Sequence, residues 1–135
     1  MTSATGIAAF SATGPLGPWS FDRRAPGARD VSIEILFCGI CHSDLHTVRG
    51  EWGSIAYPQV PGHEIVGRVT AVGAEVNAFA VGDHVGVGCM VDSCLSCPSC
   101  APGLEQYCDA GNTGTYGGTE KETGKPTQGG YSSSI

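Results

Sequence analysis

Four cysteines, Cys94, Cys97, Cys100 and Cys108, stand in the run CLSCPSCAPGLEQYC with the spacing C-x2-C-x2-C-x7-C. Two-residue gaps let successive thiolates turn onto one ion, and a fourth ligand after a short excursion closes a tetrahedron of Zn–S bonds of about 2.3 Å. With four sulfurs and no position left for water, such a zinc site is structural. Two disulfides would use the same residues, and an iron–sulfur cluster also takes four thiolates. The bacterial ferredoxin run, however, has a shorter final gap followed by proline, whereas Asp109 follows Cys108. A second concentration of metal-binding side chains lies in CGICHSDLH, from Cys38 to His46, and His63 and Glu64 are adjacent in VPGHEIVG. Cysteine, histidine and carboxylate from separate segments, leaving room for water or substrate, are the ligand mixture of a catalytic zinc site, which makes Cys41, His63 and Glu64 its candidates. Each has a plainer reading alone: His63 as an ordinary hydrogen-bonded histidine, Cys41 as a small buried hydrophobe. Their joint occurrence beside the four-cysteine run favours the metal. Cys38 and Cys89 lie in apolar stretches and read as inert buried thiols.

The elements that must position these residues are short. Twenty-one glycines and eight prolines in 135 residues argue against long helices, so the domain is expected to be mainly β. Candidate strands are Ile7 to Ser11, Val31 to Phe37, Ile65 to Val72 and His84 to Val87. Val31, Ile33 and Ile35 alternate with Ser32 and Glu34 as a half-buried strand should. A short helix fits His42 to Val48, and a helical turn is expected after Pro102. Gly111 to Gly130, rich in Gly, Thr and Lys, reads as an exposed loop, and Gly130 to Ile135 as the start of another strand. A content of 41% hydrophobic residues and a mean hydropathy of +0.01 suit one globular domain with a modest core. The formal net charge of -6 disfavours nucleic acid and other polyanions as partners. The first twenty residues carry no basic region followed by an uninterrupted apolar run, so neither a secretion signal nor a membrane span is expected. Seven cysteines, closely spaced and without an export signal, then point to a cytoplasmic protein using thiols for metal.

With these residues in order, the chain resembles the zinc-dependent alcohol dehydrogenases of the medium-chain dehydrogenase/reductase superfamily, closest to the cinnamyl alcohol dehydrogenase branch. The family signature G-H-E-x2-G-x5-G-x2-V is met by Gly62, His63, Glu64, Gly67, Gly73 and Val76. The segments CGICHSDLH, EWG, YPQVPGHE, GDHVGVGC and the four-cysteine run follow in family order. The resemblance implies a GroES-like, partly open β-barrel with short helices and a structural zinc loop, joined in the family to a Rossmann domain that binds NAD(P), more often NADP. By position it makes Cys41 and His63 catalytic zinc ligands with Glu64 an intermittent one. A fourth ligand, a cysteine, is expected in the following domain. Ser43 takes the hydroxyl position that bonds the substrate oxygen, and His46 the outer end of a proton relay. Asp44 takes the place of the carboxylate that orients the zinc-bound histidine, His42 that of a basic group near the cofactor pyrophosphate, and Trp52 that of a substrate-pocket wall. Plainer roles stay open: Asp44 capping a helix turn, Ser43 satisfying local backbone, His42 and His46 at the surface, Trp52 in the core.

The chemistry implied is interconversion of primary alcohols and aldehydes, aromatic or aliphatic, by a homo-oligomeric enzyme. Zinc eases loss of the alcohol proton and polarises the carbonyl in reverse, and a nicotinamide carries the hydride. No G-x-G-x-x-G follows a candidate strand and no βαβ unit is visible, so the cofactor domain is expected outside these residues, which alone should be inactive. A zinc-stabilised binding module without catalysis, or a zinc store or redox-responsive thiol cluster, is the alternative.

Overall fold

The computed structural model describes residues 2–135. Strands β1 (Thr2–Ala9) and β2 (Leu16–Arg23) form an antiparallel hairpin with continuous register from Thr2 opposite Arg23 to Ala9 opposite Leu16. The sequence reading placed the first strand at Ile7 to Ser11 and found none at 16–23. β1 is built of small residues rather than an apolar run, and Gly17 and Pro18 mask β2. Pro18 is tolerated because the hairpin is two-stranded, leaving one side of β2 free of ladder bonds. A second antiparallel sheet orders β3 (Val31–Gly39), β4 (Glu64–Val72) and β5 (His84–Val87) as β3-β4-β5. A third small sheet pairs β6 (Met90–Asp92) with β7 (Thr113–Gly114). Helix α1 spans His42–Val48 as its residues suggested, and the helical turn after Pro102 is a 3-10 turn at Glu105–Tyr107.

The last residues join the first two sheets. Tyr131 O accepts from Ile7 N at 2.8 Å and Ser133 N donates to Thr5 O at 2.8 Å, while Ile35 N donates to Ser133 O at 3.1 Å and Ile33 and Ile135 exchange both backbone bonds at 2.7 and 2.9 Å. The expected final strand is therefore an extended segment wedged between β1 and β3, meeting them as isolated bridges rather than a ladder. It rolls the sheets into an open, incompletely closed β structure. Ala4, Ala8, Ala9, Ile33, Val60, Ile65 and Val69 form its buried core. The stretch 111–130 is not wholly an exposed loop: Thr113, Thr115 and Thr127 are buried, and the longest exposed run in it is 121–126. Cys89 is likewise exposed rather than buried. No helix among the described residues is long and apolar enough to cross a membrane.

Candidate metal centres

The four sulfurs of Cys94, Cys97, Cys100 and Cys108 lie within 4.8 Å of one another. Cys94 and Cys100 are 3.9 Å apart, close to the edge of about 3.8 Å that a tetrahedron of 2.3 Å zinc–sulfur bonds requires. The loop turns its backbone N–H groups onto the sulfurs: Cys97 N onto Cys94, Cys100 N onto Cys97 and Cys94 N onto Cys108, each at 3.4 Å. These donors favour thiolate. The N–H groups of Ser96 and Cys97 bring the Cys94 thiol down to about 6. At Cys100 the Ser93 hydroxyl pulls the same way, but loss of water and the neighbouring sulfurs of Cys97 and Cys108 win and push it up to about 11. Four crowded thiols cannot all ionise by themselves. A divalent cation removes that conflict, so the donor set fits zinc.

The second group assembles from two segments. Cys41 precedes α1, while His63 stands just before β4 and Glu64 opens it; one ligand atom of each lies within 4.8 Å of the others. A thiol, an imidazole and a carboxylate are a donor set that fits zinc and leaves it open to a further ligand. Ser43 lies between them, its hydroxyl donating to the Cys41 sulfur at 2.9 Å and standing 3.4 Å from His63 Nε2.

Asp44, only 3% exposed, accepts from Cys41 N at 2.9 Å, from Gly62 N at 3.1 Å and from the Tyr131 hydroxyl at 2.6 Å. Its carboxylate therefore caps α1 and ties down the residue before His63. Among the described hydrogen bonds it does not reach the imidazole, so its hold on His63 is through the backbone rather than the ring. Burial alone would raise the Asp44 pKa, but the Tyr131 hydroxyl, the Cys41 N–H, the Tyr116 hydroxyl and the Gly62 N–H together hold it below the usual carboxylate range. Tyr116 stacks on His63 with ring centroids 5.4 Å apart and planes 12° from parallel. Burial, then the Asp44 carboxylate, push both tyrosine hydroxyls far up, so both remain donors. Neither tyrosine was found by sequence reasoning, because 72 and 87 residues separate them from Asp44 and no local spacing connects them.

His46 lies on the exposed side of α1. Its Nδ1 is hydrogen-bonded to Glu51, and its ring stacks on Trp52 at 4.9 Å. Trp52 is 67% exposed, so it is no core residue. His42 is exposed, 5.2 Å from the His46 ring. The structure thus brings Cys41, Ser43, Asp44, His63 and Glu64 together and sets His42, His46 and Trp52 in a neighbouring aromatic cluster. Glu51, the hydrogen-bond partner of His46, was missed although it lies within the EWG segment.

An open, tail-wedged β structure with an all-thiol group and a separate thiol–imidazole–carboxylate group defines a GroES-like domain with two candidate metal centres. The chain belongs to the alcohol dehydrogenase GroES-like domain family, whose model matches residues 27–134. It is 57% identical over 135 residues to NADP-dependent alcohol dehydrogenase C of Mycobacterium bovis, covering 100% of this chain and 39% of the relative. Among solved structures it is similar to a cinnamyl alcohol dehydrogenase from Sorghum bicolor, with a TM-score of 0.92, 50% identity, and coverage of 99% of this chain and 38% of that one. The cinnamyl alcohol dehydrogenase of Helicobacter pylori complexed with NADP(H) gives a TM-score of 0.93 and 44% identity over 98% of this chain and 38% of that one. The chain thus spans about two fifths of the length of the relatives it matches.

Proposed function

We propose that this chain is the zinc-binding catalytic domain of a cytoplasmic, NADP-dependent dehydrogenase that interconverts primary alcohols, aromatic or aliphatic, with their aldehydes. The convergence of Cys41, His63 and Glu64 within 4.8 Å, with the Ser43 hydroxyl against two of them, carries this reading. Zinc held by Cys41 and His63, with Glu64 beside it, supplies the Lewis acidity that weakens an alcohol O–H and polarises an aldehyde carbonyl. NADP supplies the hydride acceptor from a second domain, and His42 is the exposed basic residue offered to it here.

Oxidising an alcohol also releases a proton, and this chain's own residues handle it. Ser43 is the hydroxyl closest to the metal-binding atoms, able to donate and accept at once. His46, hydrogen-bonded to Glu51 and open to water, is suited to pass that proton on to solvent. Asp44 keeps Ser43 and Cys41 in the first turn of α1, and Trp52 shields one face of the His46 ring.

The reading is tested in a full-length enzyme carrying this domain by following NADPH consumption with an aromatic aldehyde. Turnover is expected, and Cys41→Ser is expected to abolish it while the four-cysteine loop keeps its zinc. Absence of NADPH consumption, or unchanged turnover in Cys41→Ser, overturns the proposal and favours a binding module.

A further inference from the structure

The tail that wedges between β1 and β3 also grips the turn leading into His63. Gly129 N donates to Val60 O at 2.7 Å, Tyr131 N to Pro61 O at 3.0 Å and Gly130 N to Gly62 O at 2.8 Å. The fit is close: Gly62 has a φ of +101°, and a Cβ there would stand 2.8 Å from both Cys38 Sγ and Tyr131 Cδ1. Arg23 anchors the tail from the other side. Its guanidinium donates to the carbonyls of Gln128 at 2.8 Å, Gly129 at 3.1 Å and Ser134 at 2.9 Å, and to the Ser132 hydroxyl at 3.1 Å. A tail so restrained holds the Tyr131 ring in one place, with its hydroxyl 2.6 Å from Asp44. Tyr116, 15 residues upstream of Tyr131, lays its ring over His63 with centroids 5.4 Å apart.

We propose that Tyr131 and Tyr116 are positioning residues for the catalytic metal, Tyr131 acting through Asp44 on the Cys41 and Gly62 backbone and Tyr116 on the His63 ring. The inference rests on the proposed metal at Cys41, His63 and Glu64. A buried carboxylate depends on its donors. Stripped of the Tyr131 hydroxyl, Asp44 must rotate toward other donors or admit water. Either movement loosens the N–H of Cys41 and the turn before His63, and with them the spacing of two ligand atoms. Groups that hold metal ligands in place are commonly worth 10- to 100-fold in metal affinity.

The experiment uses the 135-residue chain with zinc already in the four-cysteine loop, titrated with Co2+. Cobalt bound through Cys41 and His63 is read from its visible bands and sulfur-to-cobalt charge transfer. Tyr131→Phe is expected to weaken cobalt binding about tenfold or more, and Tyr116→Leu, which removes the ring stacked on His63, by a smaller factor, with zinc retention in the loop unchanged. Amide exchange in the metal-free chain supplies a second readout: the N–H groups of Cys41 and Gly62 should exchange faster in Tyr131→Phe, with the β3–β4 ladder unaltered. Equal cobalt affinity in the unsubstituted chain and both variants overturns this inference alone. Parallel weakening of both metal groups overturns it too, since the tyrosines would then be general supports. Failure of the unsubstituted chain to bind cobalt at Cys41 overturns it together with the proposed metal centre.

Discussion

Ser43 donates to the Cys41 sulfur at 2.9 Å and lies 3.4 Å from His63 Nε2, whereas His46 faces Glu51 and Trp52 on the outer side of the same helix. A hydroxyl beside the reacting oxygen has no substitute in the proton path; an outer carrier in contact with water has many. In a full-length enzyme, Ser43→Ala is therefore expected to lower kcat by roughly a hundredfold, and His46→Ala by far less. Steady-state kinetics with zinc content measured on the same samples checks this, and full turnover in Ser43→Ala with zinc retained would refute the role of Ser43. Cys41, Ser43 and Asp44 were legible as a set because they lie within four consecutive residues of one short helix start. Tyr131, which holds Asp44, was not, since its hydroxyl reaches the carboxylate only after the tail has folded back.

At the scale of the element, the glycines of the G-H-E signature are matters of space. Gly67 on β4 pairs with Ile35 on β3 so closely that a Cβ would sit 2.3 Å from Ile33 Cγ2 and 2.4 Å from Glu34 O. A backbone oxygen cannot yield as a flexible side chain can. Gly67→Ala is expected to cost about 1–3 kcal/mol and to lower Tm by roughly 5–10 °C, as thermal unfolding would record; an unchanged Tm would show that the strands can part freely. The connection from β2 to β3 is held by Arg24 and Asp30, whose side chains are ion-paired, with Asp30 also accepting from Gly27 N at 2.6 Å. Arg24 foremost, despite some burial, lowers the Asp30 pKa from its ordinary 3.8. The contribution is complete above that unfolded value and disappears as pH falls through the lower folded one. Asp30→Asn should therefore flatten the acid side of the stability curve by roughly 0.5–1 kcal/mol. Urea unfolding from about pH 5 to about pH 2 measures it, and identical curves for the two chains would contradict it.

For the whole molecule, the two metal groups differ in how completely this chain supplies them. The four-cysteine loop closes its set of thiolates within 15 consecutive residues, whereas Cys41, His63 and Glu64 contribute one thiolate, one imidazole and one carboxylate from two segments. Each missing thiolate removes a charge-neutralising bond, and water reaching the open group weakens every electrostatic contact within it. In the 135-residue chain, a moderate chelator is expected to take zinc from Cys41 and His63 first, leaving the loop loaded and most of the fold intact. Chelator titration with far-UV circular dichroism follows both, and release of two equivalents with one affinity would contradict the difference.

The four-cysteine set, the helix at 42–48 and the strands near 31–37, 65–72 and 84–87 were present in the sequence itself, because spacing, capping and alternation are local and the thiols of the loop need only a few residues to meet; β6 and β7, three and two residues long, are too short to carry such a pattern and were not expected. The hairpin of β1 and β2 was not, since small residues and Pro18 carry no strand pattern and are ordered by pairing. Residues 111–130 looked like solvent-exposed loop because Gly, Thr and Lys dominate them; yet Thr113, Thr115 and Thr127 are buried, their hydroxyls able to bond locally where a charged side chain could not. Only the tertiary structure decided that the tail joins two sheets, that Arg23 anchors it, that Tyr131 meets Asp44 and that Tyr116 covers His63. Those contacts bring together residues more than fifty positions apart, and such distances are closed by the packing of the whole chain.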